Sequence, residues 1–159
     1  MVDAPIEEVA AWELARKSRE SMKGHVVFGG LDRDLVKIND HLDVYNNVID
    51  LAIPGFLPRQ WVTRVVWKWA AGKKELMVIA DSVEHTDFPE RKKYQRASST
   101  VMVKYKQEAD VGGIPQTKVT YTQHVDLGGR IPKWVQNRQG VGQLMYVIEP
   151  APTSLAPPH

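Results

Sequence analysis

Asp126–Tyr146 reads DLGGRIPKWVQNRQGVGQLMY, and the rest of the chain is arranged around what this stretch does. Gly128 and Gly129 admit backbone angles that other residues resist, so the segment first turns. Pro132 suits an opening helical turn, and apolar residues recur at Ile131, Trp134, Val135, Val141, Leu144, Met145 and Ile148. The stretch therefore predicts a strand exit, a Gly-Gly turn and one long amphipathic helix over 131–148. Gly140 and Gly142 inside that helix each cost about 0.5–1 kcal/mol against Ala. Either the helix packs closely on a sheet at those points or it is built to move.

Upstream of the helix the apolar period is two. Strand-like runs occupy about 33–39, 43–52, 59–70, 74–84, 94–106 and 117–127, separated by the turns PGFLP, AAGKK, DFPERKK and VGGIP. Short connections favour an antiparallel meander of about six strands. Asn46-Asn47 is an alternative hairpin turn that would split the second run. The chain opens with a helix expected over about 5–22: Asp3 as N-cap, Pro5 in the first turn, Glu7 and Glu8 at the positive dipole end, and Arg16, Lys17, Arg19 and Lys23 before Gly24. These elements make an α+β domain, 1–148, and the Pro-rich EPAPTSLAPPH of 149–159 reads as a tail or linker.

With 159 residues, 43% of them hydrophobic and five Trp, the chain can bury one core. Its 21 Lys+Arg against 19 Asp+Glu leave +2, too little for a surface that tracks phosphates, so nucleic acid is not the expected partner. There is no Cys, hence no disulfide or thiolate chemistry, and no apolar run reaches membrane-spanning length, which fits a cytoplasmic protein.

The run 59–69 separates its faces cleanly. Trp61, Thr63, Val65, Trp67 and Trp69 share one parity and Arg64 and Lys68 the other, so the Trp face points inward. By the same rule Val119, Tyr121 and Val125 side with Gln123; Val101, Val103 and Tyr105 side with Ser99; and Tyr45 and Ile49 side with Asn47. The strand 74–84 is apolar on both parities and its face stays open. An apolar wall dotted with Thr, Ser, Gln and Tyr suits the tail and head of an amphiphile, and equally suits a solid core whose polar groups satisfy one another.

Three segments in register resemble the START domain, the steroidogenic acute regulatory protein-related lipid transfer domain: PGFLPRQWVTRVVWKW, IADSVEHTDFPERKKYQRASST and TKVTYTQHVDLGGRIPKWVQN. The resemblance covers roughly residues 3–148. It implies a helix-grip fold, with a curved antiparallel sheet closed against the long C-terminal helix. It also implies non-covalent binding of a lipid, with transfer between membranes or sensing as the purpose, no cofactor and no metal. A START domain begins with a helix and three strands before the segment corresponding to Asp3–Met22, so the resemblance implies an N-terminal truncation. The strand 117–127 would then be an exposed edge, suited to pairing in a homodimer.

The implied ligand-binding residues are Thr63, Val65, Trp67, Ser99, Val101, Tyr121, Gln123, Trp134, Val141 and Met145. Sterol-binding members carry an Arg where this chain has Val65, and Arg64 lies on the opposite face, so a phospholipid or other amphiphile is favoured over a sterol. Arg19 is the nearest match to a phosphate-binding Arg of a phospholipid-binding relative, and otherwise sits at a solvated helix end. Phe56 and Leu57, at the tip of PGFLP, are the expected points of transient membrane contact. A regulatory lipid-sensing module of a larger protein is a second reading. A helix-grip enzyme of hydrolase or cyclase type, using Glu84 and His85, is a third; since adjacent strand residues point to opposite faces, the chain is read as no enzyme.

Overall fold

In the computed structural model of the protein, which describes residues 1–132, the period-two region is one antiparallel sheet. Its strands are β1 (Gly30–Asn39), β2 (Leu42–Ile49), β3 (Arg59–Trp69), β4 (Glu75–Ser82), β5 (Gln95–Arg96), β6 (Ser98–Val111) and β7 (Ile114–Asp126). The order β1-β2-β3-β4-β6-β7 is the expected meander, and β5 pairs in parallel with the start of β3. The run expected at 94–106 is thus two strands, and the sheet has seven. β6 and β7 reach closer to their turn than expected. Gly112 and Gly113, at φ 60° and 81°, close a tight two-residue connection, so the ladder resumes at Val111 and Ile114 beyond a bulge after Glu108.

Asn46-Asn47 makes no turn: both lie within β2, opposite Val62 and Trp61. Their amides are satisfied sideways. Asn46 Oδ1 accepts from Gln60 Nε2 at 2.8 Å, and Asn47 Oδ1 accepts from Arg33 Nε at 2.6 Å. Side-chain partners in neighbouring strands remove the competition with the backbone that makes Asn a turn former.

The N-terminal helix is likewise two helices, α1 (Ile6–Leu14) and α2 (Arg19–Val27). Ala15, at φ −83° and ψ 49°, leaves the helical region, and the Ser18 hydroxyl starts α2 by accepting the Ser21 N–H at 3.2 Å. Pro5, not Asp3, is the N-cap residue of α1. Gly24 is inside α2, which stops at Phe28 before Gly29, φ 82°; a Cβ at Gly29 would collide with the Asp50 carbonyl oxygen.

Register carries the inward parity across the sheet in rungs. One rung is Asp43–Val65–Ala80–Val101–Gln123, the next Trp67–Val78–Val103–Tyr121, and the next Trp69–Leu76–Tyr105–Val119. The undecided face of β4 is settled: Leu76, Val78 and Ala80 point inward and Ile79 outward. Ile6 and Ala10 of α1 pack on this inner face with Tyr45, Val65, Val103 and Tyr105. Each fully buried aliphatic there is worth about 1.5–3 kcal/mol. The loop between β4 and β5 folds back over the other face, where Phe88 packs on Val44 and Val62.

The chain divides into the units Met1–Gly129 and Arg130–His159. Of the second, Arg130, Ile131 and Pro132 are described and are irregular. The helix expected over 131–148 and the boundary expected at 148/149 lie outside the described residues.

Candidate functional site

Polar groups gather on the inner face where α1 ends over β2. Arg16 follows the last turn of α1, forms an ion pair with Glu13 and donates through Nε to the Glu13 carbonyl at 3.2 Å. Its guanidinium lies 5.3 Å from the centre of the Tyr45 ring, a cation–π contact. The Tyr45 hydroxyl faces two acceptors, the Leu14 carbonyl at 3.2 Å and Asp43 Oδ2 at 3.3 Å. Across the sheet the Tyr121 hydroxyl donates to Gln123 Oε1 at 3.0 Å.

One buried polar atom in this neighbourhood lacks a partner among the described residues. Asp43 Oδ1 is buried and accepts no hydrogen bond. The Tyr105 side chain is 3% exposed, and its hydroxyl has no hydrogen bond among the described residues. A buried polar group without a partner costs about 1–3 kcal/mol, so Asp43 Oδ1 marks a place where a ligand donor would be favoured.

The charges are mutually adjusted. Burial works against the Arg16 charge, but Glu13, with Tyr45 and Tyr105, more than offsets it, and its pKa is raised. Burial pushes the hydroxyl of Tyr45 up to about 12, against the opposing pull of Arg16 and with Asp43 assisting. Tyr121 is likewise raised to about 12, by burial and then Glu13, and Tyr105 is raised further for the same reasons. The three phenols stay neutral hydrogen-bonding groups over the ordinary pH range.

Of the residues expected to bind a ligand, Thr63, Val65, Trp67, Val101, Tyr121 and Gln123 fall on adjacent positions of this one face. Thr63 and Val65 are buried, and Trp67, Val101 and Tyr121 are half-buried against the core. Ser99 is held on the same side by Ser82, whose Oγ accepts the Ser99 N–H at 2.8 Å. Trp134, Val141 and Met145 lie outside the described residues. Arg19 is exposed at the first turn of α2, and Arg16, three residues earlier, is the cation that joins the cluster. Phe56 rests against Arg59, 5.8 Å from ring centre to guanidinium carbon, and Leu57 is 49% exposed.

Glu13, Arg16, Asp43 and Tyr105 were missed as site residues. Tyr105 shares the parity of Val101, and Asp43 that of Tyr45, so a carboxylate on an inward strand position was the available signal. Glu84 and His85 lie apart from the cluster, in the loop whose Phe88 covers the opposite face. His85 packs on Phe88 at 5.6 Å, and exposed Glu84 is 3.6 Å from Arg96. The Glu84–Arg96 pair ties that loop to β5.

The START domain family matches residues 37–148, well over half of the chain. Among solved structures, human STARD10 superposes with a TM-score of 0.65 at 20% identity, over 92% of this chain and 57% of its own. Human StAR-related lipid transfer protein 5 gives 0.66 at 20% identity, over 92% and 68%. The STAR-related lipid transfer protein of Xanthomonas axonopodis gives 0.64 at 18% identity, over 92% and 77%. At these identities the likeness is one of fold, the α+β helix-grip architecture, and the chain spans 57% of the length of STARD10. No curated protein matches by sequence. Among the described residues no helix is long and apolar enough to cross a membrane.

Proposed function

Because this chain belongs to the START domain family, we propose that it binds a lipid non-covalently on the inner sheet face and carries it between membranes from the cytosol. The observation that carries this reading is the buried, unpartnered Asp43 Oδ1, on the rung that continues through Val65, Ala80 and Val101. Apolar rungs suit an acyl tail, worth about 0.8 kcal/mol per buried methylene, and the polar cluster suits its head. Relatives of this fold are named for lipid transfer, which supports the same reading.

A phospholipid fits better than a sterol. Val65 is fully buried and uncharged, and Arg64 points outward to Asp81 at 3.9 Å. Glu13 already neutralises Arg16. With Arg16 so paired, the open demand is a donor for Asp43 Oδ1, which the ammonium of a zwitterionic phospholipid head brings with its charge and a sterol hydroxyl without one. Leu57, with Phe56 beside it, would touch the bilayer while the lipid passes.

Native mass spectrometry of the protein purified from cells, followed by lipid extraction, tests this. A stoichiometric phospholipid adduct that is lost in Asp43→Asn with the fold intact supports the proposal. An apo mass after incubation with phospholipid vesicles refutes it.

A further inference from the structure

We propose that the end of the sheet where β1, β3 and β5 begin is a docking rim for a bilayer containing anionic phospholipid. Arg91, Lys92 and Lys93 meet the headgroups there, and Val27 and Leu31 enter the interface beside Leu57. The inference rests on the reading of Leu57 as a point of bilayer contact, and it names the lipid which that contact selects.

Pairing sets these residues side by side. β5 runs parallel to β3 from the same end, with Gln95 opposite Arg59, and the Gln95 N–H donates to the Pro58 carbonyl at 2.9 Å. Residues 91–93 therefore lie where the loop 50–58 enters β3, in a turn closed by the Tyr94 N–H on the Arg91 carbonyl at 2.9 Å. At the other end of that loop the Asp50 N–H donates to the Gly29 carbonyl at 2.8 Å, and Gly30 faces Ile49. The last turn of α2 thus reaches the same rim. β1, β2, β3 and β5 are neighbours, so the rim crosses about 15 Å.

The apolar members face outward. Val27, in the last turn of α2, is 80% exposed. Between Gly30 and Asp32 the ladder with β2 slips by one residue; Leu31 is the extra one, and the bulge leaves it 57% exposed. Exposed apolar side chains gathered at one rim mark a surface for an apolar neighbour.

Charge selects that neighbour. The acids of the loop 83–94 are turned elsewhere: Glu84 and Glu90 face Arg96 at 3.6 and 3.8 Å, and Asp87 faces His85 at 3.9 Å. Arg91, Lys92 and Lys93 are exposed, and among the described residues none of them forms an ion pair; Lys93 lies 4.8 Å from the Tyr94 ring centre. Asp50 is the acid beside them, and its Oδ1 accepts the Ala52 N–H at 2.8 Å. A plane meets points that project from several strand ends at once, whereas a peptide needs a groove that joins them. Each cation held near an anionic surface strengthens binding about five-fold, and three in a row about a hundred-fold.

Co-flotation with vesicles of phosphatidylcholine alone, and of phosphatidylcholine mixed with phosphatidylserine, is the test. The protein should prefer the mixed vesicles and lose that preference as salt is raised. Arg91→Gln, Lys92→Gln and Lys93→Gln together should weaken binding to them about a hundred-fold. Lys68→Gln, Lys73→Gln and Lys74→Gln remove the same charge about 30 Å away, at the far end of β3, and should change binding by less than about three-fold. Val27→Gln with Leu31→Gln should weaken binding to both kinds of vesicle about ten-fold. Equal binding of the wild type to the two kinds of vesicle overturns the proposal. So does a 91–93 variant that binds like the wild type, or a far-end variant that weakens as much. Capture by immobilised polyglutamate without binding to vesicles would make an acidic peptide the partner, and overturns it too. Native mass spectrometry separates this rim from the lipid site. A phospholipid adduct without a preference for mixed vesicles sinks the rim alone, while selective vesicle binding by an apo protein upholds the rim and sinks the carrier reading.

Discussion

Arg59 Nε donates to the Leu127 carbonyl at 2.9 Å, joining the first residue of β3 to the residue that precedes the Gly128-Gly129 turn. The same guanidinium donates to the Leu57 carbonyl and lies under the Phe56 ring. Arg59 is 3% exposed, and burial lowers its pKa. A single buried cation thus ties the loop 50–58 to the exit of β7. Its carbonyl partners are the ends of dipoles, which offset its desolvation without a carboxylate.

Arg59→Ala leaves the Leu127 and Leu57 carbonyls without their donor, and should cost about 2–4 kcal/mol. Arg59→Lys cannot reach both carbonyls from one ammonium and should recover only part of that. Urea unfolding gives the loss, and amide exchange should rise through 51–57 more than in β4. Equal exchange across the two regions would mean that Arg59 does not hold the loop.

Tyr45 and Tyr121, at about 12, set an alkaline limit on the fold. The unfolded phenol ionises near 10 and the folded one later, so the folded state holds its protons where the unfolded state has lost them. That stability is fully present below about pH 10 and drains away as the pH climbs toward 12. Absorbance of tyrosinate should therefore lag the unfolded protein and rise together with loss of the fold. Ordinary titration of all phenols in a folded protein would contradict the burial of the cluster.

On the acid side His25 acts in the opposite sense. Burial, and then the Arg33 charge, lower its pKa against the pull of the Asp32 carbonyl, 3.2 Å from Nε2. Its contribution is complete above the unfolded value near 6.5 and is lost as pH falls through the lower folded value. Gly30 is tied to the same ring, since a Cβ there would overlap His25. Gly30→Ala should destabilise by about 1–3 kcal/mol, and by much less in a His25→Ala background. Additive losses in the double mutant would mean that the clash is relieved elsewhere.

The meander and the inward Trp parity of β3 were legible because a half-buried strand writes its exposure into alternate residues. Trp61, Thr63 and Val65 are buried where Arg64 is exposed. The register that sets Asp43, Val65, Ala80, Val101 and Gln123 on one rung was not legible, since pairing depends on turn lengths spread over the whole sheet. The break at Ala15 was equally hidden. Arg16 and Lys17 read as helix-end charges, yet Arg16 is drawn down onto Tyr45, and Ser18 restarts the helix in a new direction. The core-forming β2 reads poorly because both its faces are covered, one by the α1 side and the other by Phe88, so alternation disappears at Asp43–Asn46.

Tyr45 and Tyr105 differ by one hydrogen bond, and that difference separates scaffold from site. The Tyr45 hydroxyl is held by Leu14 and Asp43, so Tyr45→Phe strands a buried carboxylate oxygen and should cost about 1–2 kcal/mol. The Tyr105 hydroxyl holds nothing within the described residues, so Tyr105→Phe should leave stability within about 0.5 kcal/mol or improve it. On the proposed reading, the lipid head is what this hydroxyl meets. Lipid bound per protein, read by native mass spectrometry, should therefore fall in Tyr105→Phe although the protein melts no earlier. A Tyr105→Phe protein that melts several degrees lower and binds lipid as before would make this hydroxyl part of the scaffold and leave the head to Asp43 alone.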